Sequence, residues 1–328
     1  MPLGYGYGNA RLRAMRSRLL TAADYNDLLA RRRIEEVIGR LRETPYKEDI
    51  EVALIRLDGV RCIFEALSAN LTRTLRSVRE FFDGEPRTLI EILLRRWDRH
   101  NLLTLLRGQK QAAPAEMVLA AVVPVGQIEE VALREMARQP DLRAMLDLMA
   151  VWRLPYAHAL RQASGRGGLA PDLDQLELAL NRFHYTAIRE ALAGGNGDRA
   201  LVLEQIKAEV DLANIAAALR LARRPELMPL IRQRYHAADV RPVLIEPAGY
   251  LSAARLAELV AAGGGVEGIV ADLRTTRYGP ALEAGWQRYR AGEGGLAVLE
   301  RELERWHATR TTALCHGNPL GIGIAIGY

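Results

Sequence analysis

Two short segments place groups that could do acid–base or hydrogen-bond chemistry at matched spacing. Asp98-Arg99-His100-Asn101-Leu102 is followed by Arg107, and Asp211-Leu212-Ala213-Asn214-Ile215 by Arg220. In both, Asn stands three residues after Asp, and Arg nine after it. A carboxylate and an amide three apart share one face of a helix, here the stripe of Leu102 and Leu105 or of Ile215 and Ala218. Polar groups on an apolar stripe must find hydrogen-bond partners or cost about 1–3 kcal/mol each. They could form a paired catalytic site, or they could bond a neighbouring loop or helix end. The usual satisfaction of buried polar groups favours the structural reading. Ala213, Ala216, Ala217 and Ala218 also make the second helix thin enough for close packing.

Other chemistries find no support. Gly4-Tyr5-Gly6-Tyr7-Gly8 has the glycine count of a phosphate loop, but no strand pattern precedes it and no Gly-Lys-Ser/Thr follows. No nucleotide or other small-molecule substrate is therefore expected. The six histidines, His100, His158, His184, His236, His307 and His316, never fall three or four residues apart, and there is no Cys-x-x-Cys. Cys315 and His316 are adjacent, which points them apart on a helix, so neither a metal nor a cofactor is expected. No Gly-x-Ser-x-Gly nucleophile turn appears. The expectation is a protein that is not an enzyme.

The elements that must position these residues are helices. Ile34, Val37, Ile38 and Leu41 follow one-face helical spacing, as do Leu89, Leu93 and Trp97, and Leu176, Leu180 and Phe183. Strict alternation is confined to Gly321-Ile322-Gly323-Ile324-Ala325-Ile326, beside the end of the sequence. Breaks fall at Thr44-Pro45, Asp83 to Pro86, Gln111 to Pro114, Ser164 to Pro171, Gly194 to Gly197, Gly263 to Gly265 and Gly292 to Gly295. The chain reads as all-α. Its 328 residues exceed what one core usually covers.

An internal repeat organises them. The segments starting at Leu20, Ile128 and Leu251 share apolar residues at the first, sixth and ninth places and an acid at the eighth. Thr21 and Ser252 are good N-caps. Pro124-Val125-Gly126-Gln127 matches Pro247-Ala248-Gly249-Tyr250 ahead of the second and third copies. A tyrosine follows each copy at nearly constant distance: Tyr46, Tyr156 and Tyr278. The period, a little over 100 residues, is too long for a tetratricopeptide or ankyrin unit. Three helical modules are expected, over 1–113, 114–235 and 236–328. The repeat-signature residues, read as structural, are Asp98, Asn101, Arg107, Asp211, Asn214, Arg220, Tyr46, Tyr156 and Tyr278.

Composition narrows the partners. Of 45 Lys+Arg, only Lys47, Lys110 and Lys207 are lysines. Arginine suits planar, multi-donor contacts, which leaves an arginine-rich helical scaffold or a nucleic-acid-binding protein as the alternative reading. Against it, 40 acidic residues interleave with the arginines, net charge is only +5 and aromatics are 6%. Arg31-Arg32-Arg33, followed by Glu35 and Glu36, reads as a solvated helix face. Two cysteines fit a reducing compartment. Arginines 11, 13, 16 and 18 interrupt any leader-like apolar run. The stretches Val118 to Val125 and Ile322 to Ile326 fall short of the roughly 20 residues a membrane span needs.

With these segments in view the chain resembles the C subunit family of the bacterial and archaeal V-type (A/V-type) ATPase, related to the eukaryotic d subunit. The resemblance rests on Tyr5-Gly6-Tyr7-Gly8-Asn9-Ala10-Arg11-Leu12-Arg13, on Trp97 to Gly108, on Asp211 to Ile215, and on Asn318-Pro319-Leu320-Gly321-Ile322-Gly323. It implies a funnel of three similar helical modules around a pseudo-threefold axis. It also implies a non-catalytic central-stalk (rotor) subunit in rotary, ATP-driven or ATP-forming ion transport. Such a protein is peripheral on the cytoplasmic face of the membrane. Its partners are the membrane rotor-ring subunits and the central shaft subunits, with no cofactor and no nucleic acid. The family pattern places a third acid-x-x-Asn segment after the closing stretch. Phe183 precedes Asp211 by 28 residues, so with Trp306 as counterpart that acid falls about six positions past Tyr328. The third module is thus expected to be incomplete at its C-terminus, and the natural gene to continue.

Overall fold

A computed structural model describes residues 4–165, 172–247 and 249–328. Positions 166–171 of the expected break at Ser164 to Pro171, and Ala248 of the matched Pro247 to Tyr250 stretch, lie outside the described residues. Among the described residues the chain is all-α, with eighteen helices, one 3-10 turn and no strand. It divides into two compact units. One is Met1–Glu177 with Pro319–Ile326 and Tyr328; the other is Leu178–Asn318 with Gly327.

The first unit opens with α1 (Tyr5–Arg16), which absorbs the glycines that looked loop-like. Gly8 is needed there because a Cβ would collide with the Phe82 ring. Then come α2 (Ala22–Ala30), α3 (Ile34–Leu41), α4 (Lys47–Leu54) and the long pair α5 (Gly59–Glu80) and α6 (Gly84–Lys110). Thr21 caps α2 in a capping box with Asp24. Ile38, Leu41, Ile50, Ala53, Cys62 and Ala66 form the core under α3, α4 and α5. Next are α7 (Ala115–Leu119), α8 (Glu130–Ala137), α9 (Leu142–Val151), α10 (Ala157–Ala163) and α11 (Leu173–Leu192).

Two expectations fail here. Arg31 to Arg33 are not a helix face; they lie exposed in the connection between α2 and α3, where Arg31 bonds Asp27 at 2.6 Å. The alternating stretch Gly321 to Ile326 is not extended. Gly323–Ile326 forms a helical turn, α18, with Ile326 N donating to Ile322 O at 3.0 Å. A lone extended segment would leave its peptide groups without a ladder, whereas a helical turn bonds them internally. This closing stretch is tied to α1, because Asn9 Nδ2 donates to Gly321 O at 3.0 Å and Arg13 to Pro319 O at 2.8 Å.

In the second unit α12 (Asp198–Arg223) is the axis. Around it run α13 (Leu227–Tyr235), the 3-10 turn Arg241–Val243, α14 (Ala253–Ala261), α15 (Gly265–Leu273), α16 (Gly279–Arg290) and α17 (Ala297–Gly317). Ser252 caps α14 through the Arg255 amide. Ile215, Leu219, Leu256, Ile269, Tyr278, Leu282, Leu299 and Leu303 belong to one core. Gly285 permits the close approach of α16 to α17, since a Cβ there would stand 2.9 Å from Leu299 Cα.

Candidate functional site

The matched polar pairs project from the middle of the two longest helices, and both are fully shielded from solvent. Asp98, Asn101 and Asp211 are 0% exposed and Asn214 is 1% exposed. Each pair holds the backbone of a loop further along the chain. Asn101 Nδ2 donates to Val123 O at 2.8 Å while Val123 N donates to Asn101 Oδ1 at 2.8 Å. Asn214 does the same to Ile245, giving at 3.0 Å and receiving at 2.7 Å. One turn back, Asp98 accepts from the amides of Gln127 and Ile128, both at 2.9 Å. Asp211 accepts from the amides of Tyr250 at 2.8 Å and Leu251 at 3.2 Å. These two arrangements, one in each unit, are called clasps below.

Each clasp needs a bare backbone above its carboxylate. A Cβ on Gly126 would run into Asp98, and one on Gly249 into Asp211 and the Lys207 carbonyl. That explains the matched Gly126 and Gly249 without any appeal to backbone flexibility. Burial pushes the Asp98 carboxyl above the usual carboxylate range, against the opposing pull of the Gln127 and Ile128 amides. Asp211 is likewise raised by burial, which outweighs its bonds from Tyr278, Tyr250 and Leu251. These carboxylates already serve amides and, for Asp211, a phenol. They are placed to hold backbone and have no route to a substrate.

The three signature tyrosines prove to be one structural device. Each is the N-cap residue of the next short helix, with φ, ψ of −87°, 1° at Tyr46, −88°, −10° at Tyr156 and −89°, −13° at Tyr278. The turns before Tyr46 and Tyr278 agree bond for bond. Thr44 Oγ1 donates to Leu41 O and Thr276 Oγ1 to Leu273 O, both at 2.6 Å. Each hydroxyl then accepts from the following tyrosine amide at 3.3 Å. Tyr278 Oη donates to Asp211 Oδ2 at 2.7 Å. Tyr156 is buried beside Asp98, and burial and then the Asp98 charge push its phenol upward. Tyr46 differs: it is half-buried and lines a cleft of about 620 Å³ with Arg18, Leu19, Lys47, Asn70 and Tyr328.

Arg107 and Arg220 lie toward the ends of α6 and α12, away from the buried pairs. Each forms a two-pronged ion pair. Arg107 binds Glu177 at 2.7 and 2.8 Å, and Arg220 binds Glu300 at 2.8 and 2.7 Å. Glu177 and Glu300, 70 and 80 residues downstream, carry no local spacing signal and were not legible in sequence. Gly126 and Gly249 were visible as a match, but their role required the fold. Among the described residues no three His, Cys, Asp or Glu side chains converge to hold a metal ion.

Comparison with known proteins agrees with this arrangement. A family model described as ATP synthase (C/AC39) subunit matches residues 8–328. The chain is 26% identical, over 329 aligned positions, to the C subunit of the A-type ATP synthase of Methanosarcina mazei; the match covers 99% of this chain and 84% of that protein. It is 28% identical over 283 residues to the C subunit of the V-type ATP synthase of Deinococcus radiodurans, covering 86% of this chain and 74% of that one. With the corresponding A-type protein of Archaeoglobus fulgidus it shares 30% identity over 223 residues, 66% of this chain and 60% of the relative.

Proposed function

Because the chain belongs to the ATP synthase (C/AC39) subunit family, we propose that it is the socket of a rotary A/V-type ATP synthase, joining the central shaft to the membrane rotor ring. The C subunit is a structural, non-catalytic component of that complex. In this reading the protein transmits torque by static shape, organised as three modules over 1–113, 114–235 and 236–328 and seated at the cytoplasmic side of the membrane. No helix among the described residues is long and apolar enough to cross a membrane.

The observation that carries the reading is the pair of buried clasps. A coupling part must keep its shape under load, and a loop held by a buried, fully bonded side chain is stiffer than one held by exposed contacts. The same bonds leave the outer surfaces to the partners. A shaft without threefold symmetry has no reason to select the same residue in each module, whereas a packing problem shared by the modules does. The arginines also give little support to a nucleic-acid reading. Arg40, Arg73, Arg107, Arg220 and Arg288 all bind carboxylates of the chain itself.

A tagged copy recovered from its native membranes tests the proposal. Rotor-ring and shaft subunits should co-purify with it. Recovery with nucleic acid, or with no other part of an ATP synthase, would reject the socket role.

A further inference from the structure

Two of the three signature tyrosines stand beside a buried carboxylate that descends from a long helix. The third, Tyr46, has the same dihedral angles and the same threonine turn, yet it faces an open cleft. We propose that this cleft is a third clasp site, and that it receives a helix running on in line with α18 and presenting a carboxylate with Asn three residues later.

Several independent features point to that occupant. Leu20 aligns with Ile128 and Leu251, whose amides bind the carboxylates of the two closed clasps. Tyr46 follows Leu20 at nearly the distance that separates Ile128 from Tyr156 and Leu251 from Tyr278. The direction of approach is also fixed. Tyr328, one turn beyond the start of α18, lies in the cleft, and its phenol is pushed up by burial and by the adjacent Tyr46. Glu204 has the corresponding place in the second unit. It stands on α12 beside Arg277, which precedes Tyr278, at 3.3 Å, and Asp211 lies two turns further along. A helix prolonging α18 in the same register would carry its own acid to Tyr46.

Charge in the cleft suits a carboxylate. Arg18 and Lys47 line it against Glu48, while Arg73 is already bound to Asp49 at 2.6 Å. One difference from the closed clasps is instructive. Two residues before Ile128 and Leu251 stand Gly126 and Gly249, but two before Leu20 stands Arg18. Here the acid would meet a guanidinium where the others meet bare backbone, so the third clasp would be a charge-assisted one.

The protein's own helix supplies the probe. Residues 205–221, which carry Asp211 and Asn214, are fused directly after Tyr328, and a control fusion has both of those residues replaced by Ala. The fusion with the intact pair should melt higher than the Ala control by at least about 2 °C. Tyr46→Phe should remove most of that gain while leaving the melting point of the 328-residue chain nearly unchanged. Equal melting of the two fusions, or an equal effect of Tyr46→Phe with and without the fusion, overturns the proposal. If the fusion does not fold, the free 205–221 peptide decides. It should shield Tyr46 of the 328-residue chain from nitration by tetranitromethane. No shielding, or the same shielding by the Ala peptide, overturns the proposal as well.

Discussion

The Tyr278 phenol donates to Asp211 Oδ2 at 2.7 Å across 67 residues of sequence. The same carboxylate accepts from the Tyr250 and Leu251 amides. One buried side chain on α12 thus fixes both ends of the stretch that contains α14 and α15. Tyr278→Phe keeps the ring and deletes the donor. It should cost about 1–3 kcal/mol in a urea or thermal melt, the range for leaving a buried polar partner short of a bond. Tyr46→Phe, whose ring is only half-buried, should cost clearly less in the same assay.

Asn101→Ala strands both the amide and the carbonyl of Val123, and Asp211→Ala strands the amides of Tyr250 and Leu251. Each should lower stability by about 1–3 kcal/mol or somewhat more, because more than one group is orphaned. Affinity for the rotor ring, measured well below the melting transition, should change little. A variant that melts like the wild type yet fails to bind the ring would place these residues in the contact surface.

Gly126→Ala and Gly249→Ala insert a methyl where a carboxylate already sits. Overpacking of this kind typically costs about 1–3 kcal/mol. Gly39→Ala, on α3 with open space around its Cα, is the control and should be neutral or slightly stabilising. Thermal melts of the three variants side by side are the measurement.

Arg220→Ala and Arg107→Ala remove bidentate ion pairs of good geometry, but the arginine side chains are 65% and 56% exposed. Exposed pairs contribute about 0–1 kcal/mol and are screened by salt. The variants should therefore melt close to the wild type, and any difference should shrink at high ionic strength.

Stability should depend on pH with opposite signs at two sites. Asp211 has a folded-state pKa raised by burial, so between the ordinary carboxylate value and that raised value the folded chain holds the extra proton. Its contribution is complete below the ordinary value, about 3.9, and diminishes as pH rises through the folded one. The wild-type advantage over Asp211→Ala should therefore grow from neutral toward about pH 4. At Asp49, burial pushes the carboxyl up, but bonds from Arg73 and Asn70 more than offset it and hold the group below its ordinary range. The wild-type advantage over Arg73→Ala should be present at neutral pH and vanish as pH falls below about 3.9. Urea titrations across this range decide both signs.

The helical class and the repeat were legible because periodicity and spacing are local properties of the chain. Asp98 with Asn101 and Asp211 with Asn214 could be put on one helix face by counting, and the need for buried partners followed from their apolar neighbours. The partners could not be read. Val123 and Ile245 are bonded through their backbone, which no residue type advertises. The grip on Ile245 spans 31 residues against 22 for Val123, so no fixed offset exists to find. Gly321 to Ile326 misled for a different reason. Alternation identifies a strand only where a neighbouring strand exists, and here the Gly321 carbonyl is taken by the Asn9 side chain instead. Arg31 to Arg33 misled because charge alone cannot distinguish an exposed connection from an exposed helix face.

The grip of Asn214 on Ile245 uses a donor and an acceptor on the same peptide neighbourhood, and Asn101 grips Val123 in the same way. Force drawing the loop along α12 in one sense stretches the bond to the carbonyl first. Force in the opposite sense stretches the bond from the amide first. The attachment therefore has no slack direction: a push and a twist the other way both meet an already engaged hydrogen bond. A part joined in this way is indifferent to the sense in which it is driven.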